Sequence, residues 1–347
     1  LGFSDGTKDG GYLTANWSIL KAKESLTKVS RKFGIKVLFF DGRGGPPARG
    51  GGNTHQFYSS LGDFIESDEI QLTVQGQTIS SNFGTIKSSQ YNMEQLITSG
   101  LKNRILSNSE VFNKKNRKTI EKLSSISYNS YKDFKSHPSF IPYLEKMSTI
   151  KYYSKTNIGS RPSKRGLKGE AFNFDKLRAI PFVGSWNQLK QNVPGFYGLG
   201  TSINYFYNNN KIKDVKLLYQ EVPFFRALVS NSMMSLTKSF FELTSYMSKD
   251  EEFGEFWKII HDEYILTKKM LLKISSFNEL MENEPANKLS IQTRENVVMP
   301  LITIQQYALQ IVKEIESGDL DDKKISVFEK IITRSLYGNI NASRNSA

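Results

Sequence analysis

Residues 42–52 read GRGGPPARGGG: six glycines, two prolines, two arginines and one alanine. No regular element runs through such a segment, because proline removes a backbone donor and fixes φ while glycine destabilises helices and strands alike. The apolar run IKVLFF (35–40) precedes it, and THQFYSSL (54–61) follows. The local expectation is therefore a buried strand, a glycine loop, then a helix opening on Thr54. Pro46 and Pro47 stiffen the tip, while Arg43 and Arg49 each offer a planar fork of donors suited to phosphate or carboxylate. The loop is not a P-loop, since no Gly-Lys-Ser/Thr follows it. It also departs from G-x-G-x-x-G, because Pro47 stands where the third glycine belongs. Two readings stay open at this point: an anion-binding lid, and a solvated or Arg-Gly-Gly loop of the RNA-binding kind.

Length and charge narrow the classes without choosing between these. A chain of 347 residues, 38% hydrophobic and 12% aromatic, has ample material for a folded core. It has no cysteine, which excludes disulfides, thiolate metal sites and a cysteine nucleophile, and fits a reducing compartment. No apolar run approaches the roughly 18 residues that span a bilayer. A soluble, cytoplasmic protein is the expectation. The net charge of +13 (47 − 34) suits nucleic acid, a membrane surface or anionic small substrates. The opening LGFSDGTKDG already looks like functional loop, so the chain is expected to be the carboxyl-terminal part of something longer.

Residues 12–33 have helical spacing, with Leu13, Trp17, Leu20 and Leu26 near one face and Gly34 ending the helix. Residues 69–84 read as two short strands about a Gln-Gly turn. Helical patterns resume over 86–112 and 116–132, and 154–176 reads as an exposed basic loop. Beyond the short apolar LRAIPF (177–182) the chain is helical almost to its end. Phe225, Val229, Met233, Leu236, Phe240, Leu243 and Met247 form one core-facing stripe. Val297, Leu301, Ile304, Ala308, Ile311 and Ile315 form a second, with Pro300 in its first turn. A last helix spans about 321–337 and stops at Gly338. With no repeat and no linker, the chain reads as one strand-poor, helix-rich unit.

Seven motifs then occur in order: GFSDGTKDGG, FDGRGGPPARGGGNTH, TVQGQTI, GSRPSKR, LRAIPF followed by SWNQ, VPFFRALVSNSMMSLTK, and the terminal RNSA. Together they closely resemble phosphoenolpyruvate carboxylase, over its carboxyl-terminal portion and from the first residue of this chain to the last. The resemblance implies an α/β, helix-rich fold. Residues 1–182 would supply the later strands of a TIM-like (β/α)8 barrel with the glycine-rich lid and active-site loops, and 183–347 a mainly helical region with an inhibitor site. It implies an anaplerotic lyase, Mg²⁺- or Mn²⁺-dependent, that turns phosphoenolpyruvate and bicarbonate into oxaloacetate and phosphate, usually as a homotetramer.

Residue by residue, Asp5 matches the family's metal-binding aspartate, with Asp9 as the rival carboxylate and the other acidic ligand upstream of Leu1. Arg43 and Arg178 match arginines that contact the substrate phosphate. Arg49 matches the mobile-loop arginine linked to carboxylation and feedback inhibition, and Arg161 a further active-site arginine. Lys238, Arg294 and Asn345 match the inhibitor site, where aspartate or malate is held together with Arg49. On helical spacing alone Lys238 projects away from the apolar seam as a solvated lysine.

Three positions depart from the family. Asp41 stands where histidine is common, and a carboxylate there is placed to orient Arg43. Phe182 replaces the usual tryptophan, and Ala347 the terminal glycine. The family's catalytic histidine is expected upstream. His55 is then a helper near the loop, and His137 and His261 are structural or solvated. The competing readings are a basic nucleic-acid-binding protein, which requires a continuous basic stripe with exposed aromatics, and a non-catalytic subunit that keeps only the anion pocket.

Overall fold

The computed structural model describes residues 1–74, 77–105, 112–155, 173–318 and 324–343. Two helices open the chain, α1 (Phe3–Gly10) and α2 (Tyr12–Lys32), and β1 (Phe39–Asp41) follows. The glycine segment comes next, holding a 3-10 turn at Pro47–Arg49, and leads into α3 (Thr54–Ser59) and β2 (Ile70–Leu72). β1 and β2 pair in parallel, with Phe39 opposite Ile70 and Asp41 opposite Leu72. Parallel neighbours need a crossover between them, and the glycine segment with α3 provides it.

Helices then dominate: α4 (Gln77–Phe83), α5 (Ile86–Ile105), α6 (Lys114–Ser136), α7 (Phe140–Met147) and α8 (Ala179–Gln188). They continue with α9 (Leu199–Asn208), α10 (Ile212–Glu221), α11 (Pro223–Thr237), α12 (Gly254–Ser275), α13 (Pro285–Glu316) and α14 (Ile325–Ser343). One apolar core surrounds Trp17, Phe57 and Phe224 beneath the glycine segment. A second surrounds Phe134, Phe140, Trp186 and Phe256, and a third, smaller one joins α13 and α14 to Tyr152 and Tyr153. Among the described residues the fold is helix-rich with two strands. No helix among them is long and apolar enough to cross a membrane.

Several expectations need correction. The run 35–40 is not a buried strand: only its last two residues join the ladder, and Ile35, Leu38 and Phe40 are exposed. Leu26, placed on the buried face of α2, is exposed as well. Residues 69–84 hold one strand and then a helix. The second predicted strand is α4, which packs on α5, so tertiary contact overrides local pattern. The Gln75-Gly76 turn lies outside the described residues, as do most of the 154–176 loop and the end of the predicted 86–112 helix.

The stripe from Phe225 to Met247 does not lie on one helix. α11 ends at Thr237, and Phe240 N–H donates to the Lys190 carbonyl at 2.8 Å. Phe240 is consequently exposed, and a 3-10 segment (Phe241–Lys249) takes over. In α13 Ala308 and Ile315 are buried as expected, but the rest of the buried seam is Val298, Ile302, Gln305, Leu309 and Val312, which leaves Val297 and Ile304 exposed. Gln305 breaks the apolar pattern yet belongs to the core, since its amide donates to Ser335 Oγ on α14. Pro300 sits inside this helix rather than in its first turn. Gly338 does not stop the last helix, which runs on to Ser343. A Cβ there would lie 3.3 Å from Leu301 Cδ1, so the glycine permits close approach of α14 to α13.

Candidate active site

The glycine segment is folded inward. Gly44 N–H donates to the Arg49 carbonyl at 2.7 Å, Gly51 N–H to the Pro46 carbonyl at 2.9 Å, and Gly52 N–H to the Gly45 carbonyl at 3.2 Å. Residues 46–51 are buried as a result. Glycine is what this closure requires, because a Cβ on Gly51 would lie 1.8 Å from the Gly45 carbonyl oxygen.

Arg43 leaves the carboxyl end of β1 with only 4% of its surface exposed. Its guanidinium carbon lies 4.2 Å from the centre of the Phe57 ring, with the Tyr58 and Phe3 rings at 5.3 and 5.4 Å. Its Nη2 makes one long hydrogen bond to the Gly51 carbonyl at 3.5 Å, and the guanidinium also interacts with the Tyr58 hydroxyl. Nε and Nη1 have no hydrogen-bond partner among the described residues. Buried donors left in this way are costly unless something accepts from them. Arg43 also borders a cavity of about 430 Å³ at the carboxyl ends of β1 and β2, walled on one side by Asn53 and His55 and on the other by Asn82, Tyr91 and Gln95. Ligands of open parallel sheets bind at this end of the strands.

Arg49 is likewise buried. Burial pushes its guanidinium down to about 10, against which Tyr153 and then Asp5 favour the charged form, so it stays cationic at neutral pH. Asp5 is exposed on α1. Arg178 is half-buried and is the residue just before α8, with no side-chain capping bond and its Nε unbonded among the described residues. The elements that bear Asp5, Arg49 and Arg178 pack against one another: α1 on the 3-10 turn, α1 on α8, and α8 on the turn. Phe3 of α1 brings Arg43 into the same neighbourhood. Arg161 lies outside the described residues.

Among the described residues no group of three His, Asp or Glu side chains is placed to hold a metal ion. Asp5 is a single carboxylate, and Mg²⁺ sites commonly use one or two together with substrate oxygens and water. Asp9 pairs with Lys8 Nζ at 2.9 Å and is thereby engaged elsewhere. Lys8 itself is buried, one turn from Asp5.

Lys238 is the residue after α11. The turn that breaks the long apolar stripe is what puts it beside Lys190, whose carbonyl accepts from Phe240 N–H. The structure therefore does not leave Lys238 solvated. It is half-buried, and its pKa is pushed down to about 7 by burial, then by Lys190 and Arg294, with Glu295 opposing. Glu295 is 2.7 Å from Lys190 Nζ through both oxygens. This cationic group shares α11 with the glycine segment, since Asn53 N–H donates to Asn231 Oδ1 at 3.2 Å. Asn345 and Ala347 lie outside the described residues.

Asp41 does not orient Arg43 through an ion pair; its carboxylate faces Lys23 and Tyr58 instead. Phe182 is fully buried in the second core and stands edge-on to Phe174. His55 is half-buried beside the cavity, His137 Nδ1 accepts from Ser139 N–H at 3.1 Å, and His261 stacks on Trp257. Lys23, Tyr58, Tyr153, Lys190 and Glu295 surround the candidate residues without having stood out in the sequence. A lysine within an amphipathic helix, or at the end of one, looks solvated until the packing is known. A family model described as "Phosphoenolpyruvate carboxylase" matches residues 1–342 of the chain.

Proposed function

The chain belongs to the phosphoenolpyruvate carboxylase family, and from that premise we propose that it holds the phosphate-gripping part of an enzyme joining bicarbonate to phosphoenolpyruvate. The products are oxaloacetate and phosphate. The observation behind this reading is Arg43, a buried guanidinium with two unbonded donor atoms beside a cavity at the strand ends. A dianionic phosphoryl group supplies the missing acceptors.

Arg43 and Arg178 hold the phosphoryl oxygens and spread the charge that develops as phosphorus changes partners. A bicarbonate oxygen attacks phosphorus, the bond from phosphorus to the enol oxygen breaks, and carboxyphosphate and the enolate of pyruvate result. Carboxyphosphate loses phosphate to give CO₂, and the methylene carbon of the enolate attacks it. Arg49, on the inward-folded segment, keeps a positive charge near these anions while the buried tip of the segment excludes water from the labile intermediate. Asp5 would contribute one carboxylate to Mg²⁺ or Mn²⁺, and such an ion would act as a Lewis acid toward the enolate oxygen. In this reading β1 and β2 are two strands of the eight-stranded barrel, and the remaining acidic ligand and the catalytic histidine come from residues outside this chain. The cationic group of Lys238 and Arg294 takes aspartate or malate as a feedback inhibitor, and the whole enzyme is a homotetramer.

The test is a coupled assay of oxaloacetate formation by the full-length protein. Arg178→Ala is expected to cut turnover by about 10²-fold or more. Near-normal turnover would exclude Arg178 from the phosphate site.

A further inference from the structure

Asp41 lies two residues before Arg43 and is fully buried, yet no ion pair joins the two side chains. Opposite charges so close in a poorly polarisable interior attract strongly, and a direct pair would satisfy both groups. Instead Asp41 Oδ2 accepts from Lys23 Nζ at 2.6 Å and from the Tyr58 hydroxyl at 2.8 Å. Lys23 reaches in from the middle of α2 with 2% of its side chain exposed. Within this group Lys23 and Asp41 cancel, and the charge of Arg43 is left over. Arg43 meanwhile rests on aromatic faces, with Nε and Nη1 unbonded.

We propose that Lys23 is a positioning residue: by holding the Asp41 carboxylate, it stops Arg43 from being neutralised within the protein and keeps that guanidinium for an incoming phosphate. Tyr58 is the second hold, on the same oxygen. The inference rests on Arg43 being the anion-binding arginine. It differs from a purely structural ion pair in one respect. Neutralising both members relieves a structural pair as well, but there the loss and the recovery are in stability, whereas here they are in phosphoenolpyruvate affinity measured on variants that remain folded.

The experiment measures phosphoenolpyruvate binding to the full-length protein by titration calorimetry in bicarbonate-free buffer, with thermal unfolding of each variant alongside. Arg43→Gln is expected to weaken binding by about tenfold or more, as loss of a charged hydrogen-bonding group does. Lys23→Met is expected to weaken it by about fivefold, and Lys23→Met/Asp41→Asn to return it to within about twofold of wild type. If Arg43→Gln weakens binding but Lys23→Met does not, or the double variant stays as weak as the single, the role of Lys23 is overturned and that of Arg43 stands. If Arg43→Gln binds normally, the reading of Arg43 falls and this inference with it. Should Lys23→Met not fold, Tyr58→Phe removes the second hold together with the hydroxyl's interaction with Arg43, and keeps the ring on which Arg43 packs. A weakening reversed in Tyr58→Phe/Asp41→Asn supports the inference, and unchanged affinity in Tyr58→Phe overturns it.

Discussion

Gly184 of α8 approaches Tyr153 so closely that a Cβ on the glycine would stand 1.9 Å from the phenolic oxygen. Tyr153 is buried and is the main neighbour favouring the charged form of Arg49. Gly184→Ala must push the ring aside, and overpacking of this kind costs about 1–3 kcal/mol. Urea unfolding should show that loss, together with weaker anion binding through Arg49. A stability unchanged from wild type would mean that α8 and Tyr153 have room between them for a methyl group.

The inward fold of the glycine segment predicts its resistance to proteolysis. Arg43 and Arg49 are both buried, so trypsin should cut after them slowly. Gly51→Ala sets a methyl carbon against the Gly45 carbonyl and should expose both bonds. Equal cleavage rates in the two proteins would argue against a closed segment.

Lys238 predicts a pH dependence. Its pKa is lowered in the folded state to about 7, from the ordinary 10.5. The protonated form therefore destabilises the fold: the cost is fully present below pH about 7 and is relieved as pH rises toward 10.5. A dicarboxylate pairs with the ammonium, so aspartate or malate inhibition should weaken as pH climbs through 7. Lys238→Ala should relieve inhibition and flatten that profile. Inhibition that persists unchanged in the variant would remove Lys238 from the inhibitor site.

Asp5 predicts a metal dependence. Asp5→Asn in the full-length protein should weaken Mn²⁺ binding, followed by electron paramagnetic resonance, by at least about tenfold. Unaltered binding would assign the metal to other carboxylates and leave the arginines untouched.

How far the sequence revealed this arrangement depends on the residue. The glycine break and the helix after it were legible because proline and glycine restrict the backbone locally, as at 42–52, whereas the run 35–40 contributes only its last two residues to a short strand. The break after Thr237 was not, because the apolar spacing continues through Phe240. What ends α11 is a hydrogen bond to Lys190, 50 positions earlier. The first half of the α13 seam was misplaced for a related reason, since Gln305 is a core residue satisfied by α14, while Ala308 and Ile315 are buried as their spacing implied. At the site, Arg43 and Arg49 stood out in the glycine loop as donors for an anion, while their particular roles, and Arg178 and Lys238, came from motif resemblance. Spacing alone could not indicate that Lys23 reaches Asp41, because a lysine within an amphipathic helix carries no mark of its partner.

The most direct test of the central claim is oxaloacetate formation from phosphoenolpyruvate and bicarbonate by the full-length protein, comparing wild type with Arg43→Gln. The account predicts an active wild type and a variant slower by about 10²-fold or more. A wild type that binds phosphoenolpyruvate without forming oxaloacetate, or a variant that turns over normally, would contradict it.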